Sequence, residues 1–313
     1  MATKNPTEIS GMRRAHIRDA VALCKFFSNL ESRFNKGERF DEHKAVTEVQ
    51  RIRREQQFFV TESYPDIIGY GPNGAVIHYH PTTAVSSALH NESTIVIDTG
   101  AQYYDGTIDM TRTIHLGNPT DQHREAYTRV LIGSIQLSTF IFPDNVNTSL
   151  IDVMARAPLW EIGYDYPHGT GHGIGAFRNV HESPVDVRYK SRKYVKPQLL
   201  EPGYFLSGEP GFYIGGQFGI RLENILQVIE MSHLKKPNGH RFLGFETITL
   251  VPYSPKLINY TLLDRRHRQW LNKYNTRIRT VVGAELLKQN ETEAYLWMLK
   301  NTEYIPDNVN NYE

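Results

Sequence analysis

Ile95-Val96-Ile97-Asp98 sets an aspartate at the end of three β-branched apolar residues. Such a run reads as a buried strand. A carboxylate at its dry end is costly unless it is paired or holds a cation. Four further segments repeat the pattern, with an acid or imidazole at a strand end or in a Gly-rich loop. They are Thr107-Ile108-Asp109-Met110-Thr111-Arg112, His168-Gly169-Thr170-Gly171-His172-Gly173, Ser207-Gly208-Glu209-Pro210-Gly211 and Ile220-Arg221-Leu222-Glu223-Asn224. Any one of these acids alone reads as a turn residue or a surface ion-pair partner. Four of them with a histidine ask for one shared site, and the fold must build it.

Hairpin arithmetic tests that demand. Strands over 93–104 and 107–116 flank the turn signal Asp105-Gly106. A turn there puts Asp98 and Asp109 on one face but about four residues out of step, roughly 13 Å at 3.3 Å each. A shared ion then requires a bent, bulged or re-registered hairpin. The second hairpin is simpler. A three-residue loop centred on Gly216, between strands at 204–213 and 219–230, sets Glu209 directly opposite Glu223. Their Cβ atoms would lie about 4.5–5.5 Å apart, and facing carboxylates repel unless a proton or metal joins them.

The remaining elements follow from periodicity. Residues 9–30 carry Met12, Ala15, Ala20, Leu23, Phe27 and Leu30 at helical spacing. Asn35 to Gly37 breaks that helix. A second helix is expected over 41–59, with Ala45, Val49 and Ile52 inward and Arg51, Arg53, Arg54 and Glu55 outward. After the turn Gly71-Pro72-Asn73-Gly74, residues 75–79 read as a strand that holds His78, where a core histidine is the ordinary reading. A long helix is expected over 121–140, capped by Thr120 and ended by Pro143, then another over 148–158. The order helix, helix, strands therefore occurs twice, without a clear sequence repeat. It argues for an α+β fold rather than a doubly wound sheet. Beyond Pro252 two helices are expected, over 263–274 and 281–300, with a frayed end at 306–313.

Composition removes several classes of function. The 313 residues carry 35 Lys and Arg against 34 Asp and Glu, a net charge of +1. That balance gives no footprint for nucleic acid or a membrane surface. No apolar run approaches the roughly 18 residues of a membrane span. Cys24, the single cysteine, excludes a disulfide framework and a Cys-rich zinc site. It falls near the apolar stripe of the first helix and reads as a structural thiol. The first twelve residues are polar and hold no signal-peptide core, so a reducing, cytoplasmic setting is expected.

Four carboxylates with one or two imidazoles suit two hard cations better than a thiolate site does. Two such ions about 3.5–4 Å apart make hydroxide available near neutral pH and stabilise charge on a carbonyl or phosphoryl oxygen. His168 and His172 are four apart, which on a helix would set both on one face. Gly169, Thr170 and Gly171 disfavour a helix, so the spacing alone does not make both of them ligands. The chain has no phosphate loop and no Gly-x-Ser-x-Gly.

In their order Asp, Asp, His, Glu, Glu, these segments resemble the pita-bread metallopeptidases, the family of methionine aminopeptidase, prolidase and Xaa-Pro aminopeptidase. The strings Ile97-Asp98-Thr99-Gly100-Ala101-Gln102-Tyr103, His168 to Gly175, Glu209-Pro210-Gly211 and Gly219 to Asn224 most resemble the eukaryotic cytosolic Xaa-Pro aminopeptidases. So do Gly71 to Tyr79, Leu250-Val251-Pro252 and Trp270-Leu271-Asn272. The resemblance implies a pita-bread fold, two pseudo-related helix-helix-strand halves around a curved antiparallel sheet. The catalytic domain would span 1–255 and a helical extension 256–313, without the two N-terminal domains of full-length relatives.

The resemblance further implies Asp98, Asp109, His172, Glu209 and Glu223 as ligands of two divalent ions, usually manganese, with cobalt, zinc or iron as alternatives. Asp109 and Glu223 would bridge them. A metal-bridging hydroxide would attack the carbonyl before proline, with Glu209 accepting a proton. His78 and His181 match histidines that bind substrate and assist the leaving prolyl nitrogen. Arg221 matches a supporting arginine. His172 and Tyr213 would also face substrate, and His168 would support the site. The implied substrates are peptides with proline second, and the implied assembly is a homodimer. A prolidase restricted to dipeptides and a non-catalytic peptide-binding module are the alternatives. Gly208 departs from the larger residue common before the first glutamate.

Overall fold

The computed structural model describes residues 2–190, 198–234 and 239–307. Helix α1 (Pro6–Asn35) starts where Asn5 and Glu8 form a reciprocal capping box and Pro6 occupies the first turn. Its stripe, Met12 through Leu30, is buried as the spacing requires, and Cys24 lies within it, fully covered. Helix α2 (Glu42–Arg54) is shorter than expected. Phe58 adopts φ 69° and turns the chain, so Phe59 opens strand β1 (Phe59–Glu62) instead of closing the helix. Arg53 corrects the outward assignment: it is wholly buried, and its guanidinium grips both Asp19 oxygens at 2.8 and 2.9 Å.

Strands β2 (Ile67–Tyr70), β3 (Thr94–Thr99), β4 (Ala101–Tyr103), β5 (Gly106–Thr107) and β6 (Met110–His115) form two small antiparallel sheets. Their orders are β2-β3-β6 and β1-β4-β5. The hairpin turns at Tyr104-Asp105, one position before the expected turn, because Tyr103 pairs with Gly106. The same register runs on, with Asp98 opposite Thr111 and Thr99 opposite Met110. Asp109 therefore lies two residues from the partner of Asp98, not four, on the same face. The ladder bends at Gly100, where an added methyl would stand 2.3 Å from the Ile108 carbonyl oxygen. The strand expected over 75–79 does not form. Gly71–Ala75 is a 3-10 turn followed by an open loop, and His78 is exposed there rather than in the core.

Helix α3 (Asp121–Thr139) begins at a Thr120 capping box closed by His123. After the short strand β7 (Phe142–Pro143), α4 (Thr148–Trp160) keeps Pro158 within its last turn and ends two residues later than expected. Strands β8 (Gly171–Gly173), β9 (Glu182–Val187), β10 (Phe205–Gly208), β11 (Gly211–Ile214), β12 (Phe218–Arg221), β13 (Asn224–Glu230) and β14 (Phe242–Thr247) follow. The large sheet runs β7-β14-β13-β10-β8-β9. Ile214 pairs with Phe218 around Gly216, which has φ 74°, and further down Gly208 pairs with Asn224. Glu209 and Glu223 are thus opposite each other, as the loop arithmetic requires.

The tail divides later than expected. Helix α5 (Arg265–Lys288) runs through 275–280, because Ile278, Val282 and Leu286 continue its buried stripe. Asn290, at φ 58°, makes the break before α6 (Thr292–Lys300). Of the end expected to fray, 308–313 lies outside the described residues. Among the described residues no helix is long and apolar enough to cross a membrane.

The 3-10 turn is seated by a glycine pair. A methyl at Gly219 would lie 1.9 Å from the Gly74 carbonyl oxygen, a backbone atom that cannot swing aside. Gly219→Ala should destabilise the protein by at least about 1–3 kcal/mol, the usual cost of overpacking, read from urea unfolding midpoints. An unchanged midpoint would show that this approach is not needed.

Candidate metal centre

Three strand systems meet at a cavity of about 730 Å³. Asp98 is the last residue but one of β3 and Asp109 precedes β6; His172 is the middle of β8; Glu209 and Glu223 occupy the two gaps between ladder segments of the second hairpin. In those gaps the main chain bonds elsewhere. The Glu209 N–H donates to the Thr170 carbonyl at 2.8 Å and the Glu223 N–H to the Thr111 carbonyl at 3.0 Å. The second hairpin is thereby tied, at each residue that carries an acid, to a neighbouring segment: the residue before β8 on one arm and the first hairpin on the other. All five side chains line the cavity. Ligand atoms of Asp109, His172 and Glu223 lie within 4.8 Å of one another.

The electrostatics show what this cluster lacks. Glu223 is 2% exposed and Asp109 4%. Burial, with Asp98 and Glu209 close by and His172 opposing them, pushes the Asp109 carboxyl up to about 7. Burial and the neighbouring acids raise Glu223 well above the carboxylate range and raise Glu209 in the same direction. His172 faces the same acids. Its Nδ1 donates to its neighbour's carbonyl, Gly173 O at 3.1 Å. Its Nε2 faces Asp109 and Glu209 oxygens, both at 3.4 Å. A histidine that donates one ring N–H to a backbone carbonyl and aims the other nitrogen at carboxylates has the arrangement of a metal ligand. Oxygen-rich donors with one imidazole fit hard divalent cations.

Tyr64 belongs to this cluster, and sequence reasoning missed it. Its hydroxyl meets Asp98 Oδ1 at 2.6 Å and Asp109 Oδ1 at 2.7 Å. One phenolic proton cannot serve two carboxylates, so the pair needs a further proton or a cation. Ser63-Tyr64-Pro65 has no periodic signal that marks it. Thr111 donates to Glu223 Oε2 at 2.8 Å and Arg221 Nη2 to Asp98 Oδ2 at 2.7 Å, so the acids are oriented from behind.

The other expected residues fall at two depths. His78, His181 and Arg221 line the cavity; the two histidines are exposed and Arg221 is buried. The rings of His181 and His172 meet edge to face, centroids 4.2 Å apart. Tyr213 lies behind the wall. Its hydroxyl accepts from Arg221 Nη1 at 2.9 Å and donates to His168 Nε2 at 2.9 Å. His168 donates from Nδ1 to the Gly169 carbonyl. Burial and the Arg221 charge hold its pKa down at about 3, so it is a neutral acceptor.

Comparison with known proteins agrees with this geometry. A family model described as metallopeptidase family M24 matches residues 10–230, and a model of the C-terminal region of peptidase M24 matches 241–305. A curated relative named "Probable Xaa-Pro aminopeptidase P" from Neurospora crassa is 45% identical over 303 residues, covering 96% of this chain and 44% of the relative. One of the same name from Sordaria macrospora is 45% identical, covering 96% and 48%. The chain thus spans about half the length of these relatives. A crystal structure of an X-prolyl aminopeptidase from Caenorhabditis elegans, described as a cytosolic enzyme with a di-nuclear active site, superposes with a TM-score of 0.90. It is 35% identical, over 97% of this chain and 48% of that one. An X-Pro aminopeptidase from Thermotoga maritima gives 0.63 at 25% identity, over 80% and 63%.

The raised acids make a signed prediction for the metal-free protein. Between the ordinary aspartate value of 3.8 and about 7, folded Asp109 keeps a proton that the unfolded chain has released. Stability therefore falls as pH rises through that window and levels off above it. Calorimetry of the metal-free protein should give a lower melting temperature at pH 8 than at pH 5.5. Saturating divalent metal should abolish the deficit, and Asp109→Asn should flatten the slope. A metal-free melting temperature that rises over this window in parent and variant alike would contradict the account.

Proposed function

The chain belongs to metallopeptidase family M24, and on that premise we propose that it is a metalloaminopeptidase that hydrolyses the N-terminal Xaa-Pro bond of peptides. What supports this above all is the convergence of Asp98, Asp109, His172, Glu209 and Glu223 on one cavity, in a chain so similar to proteins of that name. In this reading those five side chains would hold two divalent ions, and Asp109 and Glu223 would serve both. Manganese is the proposed metal, and cobalt, zinc or iron are the alternatives. Bound there, the ions would lower the pKa of a water toward neutrality and polarise the scissile carbonyl.

The protein's own groups supply the rest. Glu209, which accepts a bond from Ser207 Oγ at 3.3 Å, takes up the proton released at the attack. His78 and His181, exposed on the cavity wall, orient the peptide and pass a proton to the prolyl nitrogen as it leaves. Arg221 holds Asp98 and, through Tyr213, the neutral His168, which keeps that wall fixed while charge develops. His172 completes the substrate-facing side, and Tyr213, expected there as well, supports it from behind through Arg221 and His168. Residues 1–255 form the catalytic unit in this reading, and 256–313 a helical extension. The proposed setting is cytosolic and the proposed assembly a homodimer, which sedimentation would test.

The deciding experiment incubates the purified chain with manganese and Arg-Pro-Pro and follows release of arginine by mass spectrometry, with a chelator control. Chelator-sensitive release is expected, with about two ions bound per chain. Cleavage confined to Xaa-Pro dipeptides would make the protein a prolidase. Bound metal without cleavage would make it a peptide-binding module. Glu223→Ala should cost more than the roughly 10–100-fold typical of losing a group that merely supports a ligand; unchanged turnover would remove Glu223 from the site.

A further inference from the structure

Residues 2–4 cross the end of the large sheet as a strap. The Lys4 N–H donates to the Gly203 carbonyl at 3.0 Å, just ahead of β10. Gly203 has φ 91°, and a methyl on it would stand 3.1 Å from the Lys4 carbonyl oxygen. The Lys4 ammonium then reaches β9, two strands along from β10, where it donates to Glu182 Oε2 at 2.5 Å, and it also donates to the Ala2 carbonyl at 2.9 Å. The Lys4 side chain is 1% exposed and that of Glu182 14%. A lysine so covered persists only with its charge paired.

Its partner has two further connections. Glu182 lines the catalytic cavity and opens β9, where it pairs with Gly173 next to His172. It also directly follows His181. Upstream, the chain reaches His181 through two left-handed residues, Arg178 and Asn179, and the Arg178 N–H is pinned to Gln102 Oε1 at 2.7 Å. His181 is thus carried on a short span held upstream at Arg178 and Asn179, and downstream at Glu182 by the pairing with Gly173 and by the ion pair.

We propose that Lys4 is a positioning residue for His181: its ammonium clamps Glu182 and so fixes the main chain that holds the imidazole against His172. The proposal rests on the reading of His181 as a substrate-facing group. Without the ammonium, an unpaired Glu182 carboxylate remains at the wall of a cavity already rich in carboxylates. Repulsion turns it toward solvent, and the start of β9 moves with it.

The test uses the full chain with Lys4→Met, which keeps the length and removes the charge, and Lys4→Arg, which restores it. Three quantities are measured: kcat and KM for Arg-Pro-Pro, bound manganese, and the His181 ring signals in NMR spectra of the metal-free protein, assigned with His181→Gln. Lys4→Met should lower kcat about tenfold, change KM by less than about threefold and shift the ring signals at unchanged metal content. Lys4→Arg should return most of kcat. Glu182→Gln keeps the shape of the contact and should act in the same direction more weakly, which guards against a poorly folding Lys4→Met. Ring signals that stay in place in both Lys4→Met and Glu182→Gln overturn the proposal, as does a kcat loss that only tracks lost metal or folded protein. Should the parent cleave nothing, the ring signals still decide, so a failed clamp and a failed peptidase reading are separately visible.

Discussion

Mutual repulsion among carboxylates held largely away from water governs the middle of this molecule. Asp98, Asp109, Glu209 and Glu223 come from two hairpins, and His172 aims its Nε2 at the same spot. No arrangement of apolar packing can offset several such charges left unpaired. Tyr64, Thr111 and Ser207 each donate one hydrogen bond, which orients the acids without neutralising them. Among the described residues, Arg221 is the one guanidinium that bonds a carboxylate of the cluster, and it bonds Asp98. What remains is a deficit of positive charge shaped for hard cations. The interruption of both hairpins at these residues is the structural form of that demand.

Buried arginines show how the surrounding shell is kept rigid. Arg112 follows the strand residue that holds Glu223, and donates to the Glu223 carbonyl at 2.7 Å, to Asn224 Oδ1 at 2.8 Å and to Tyr274 in α5 at 3.0 Å. Arg156 in α4 grips Asp152 and the His168 carbonyl. Arg53 joins Asp19 in α1 to Thr99, the residue after Asp98. Each fork places several fixed donors at once on main-chain or carboxylate oxygens next to a residue of the centre. A lysine in any of these places would hold fewer of them in a set geometry. The helices of both halves, and the C-terminal region as well, are thereby tied to strands that carry ligand candidates.

How much of this was legible in the sequence depends on the kind of physics involved. The Glu209–Glu223 pairing follows from a symmetric loop about Gly216, since register is arithmetic once the loop length is known. The Asp98–Asp109 pairing failed by one turn position: Asp105-Gly106 carries the familiar turn residues, yet Tyr104-Asp105 forms the loop, and that shift halves the offset. The start of α3 was readable from its Thr120 cap, whereas α1 begins at Pro6, three residues ahead of the expected start, behind the Asn5 cap. Boundaries set by tertiary contacts were not readable. The 75–79 segment lost its strand to the approach of Gly74 and Gly219, and the outward-looking Arg53 was claimed by Asp19 on another helix. Tyr64 carries no local signal because its importance lies wholly in two carboxylates more than thirty residues away. The roles of His78 and His181 came from resemblance, not from their surroundings in sequence.

One quiet feature gives the molecule a clock. Cys24, its single thiol, is fully covered in the middle of α1, and burial pushes its ionisation well above the ordinary range. A thiol reagent can reach it only when that helix lifts from the core. The labelling rate therefore counts openings of the first half without any engineered probe. Because α1 is also the helix that Lys4 leads into and that Asp19 ties to the centre, filling the cavity should make those openings rarer, and one modified atom per chain would record it.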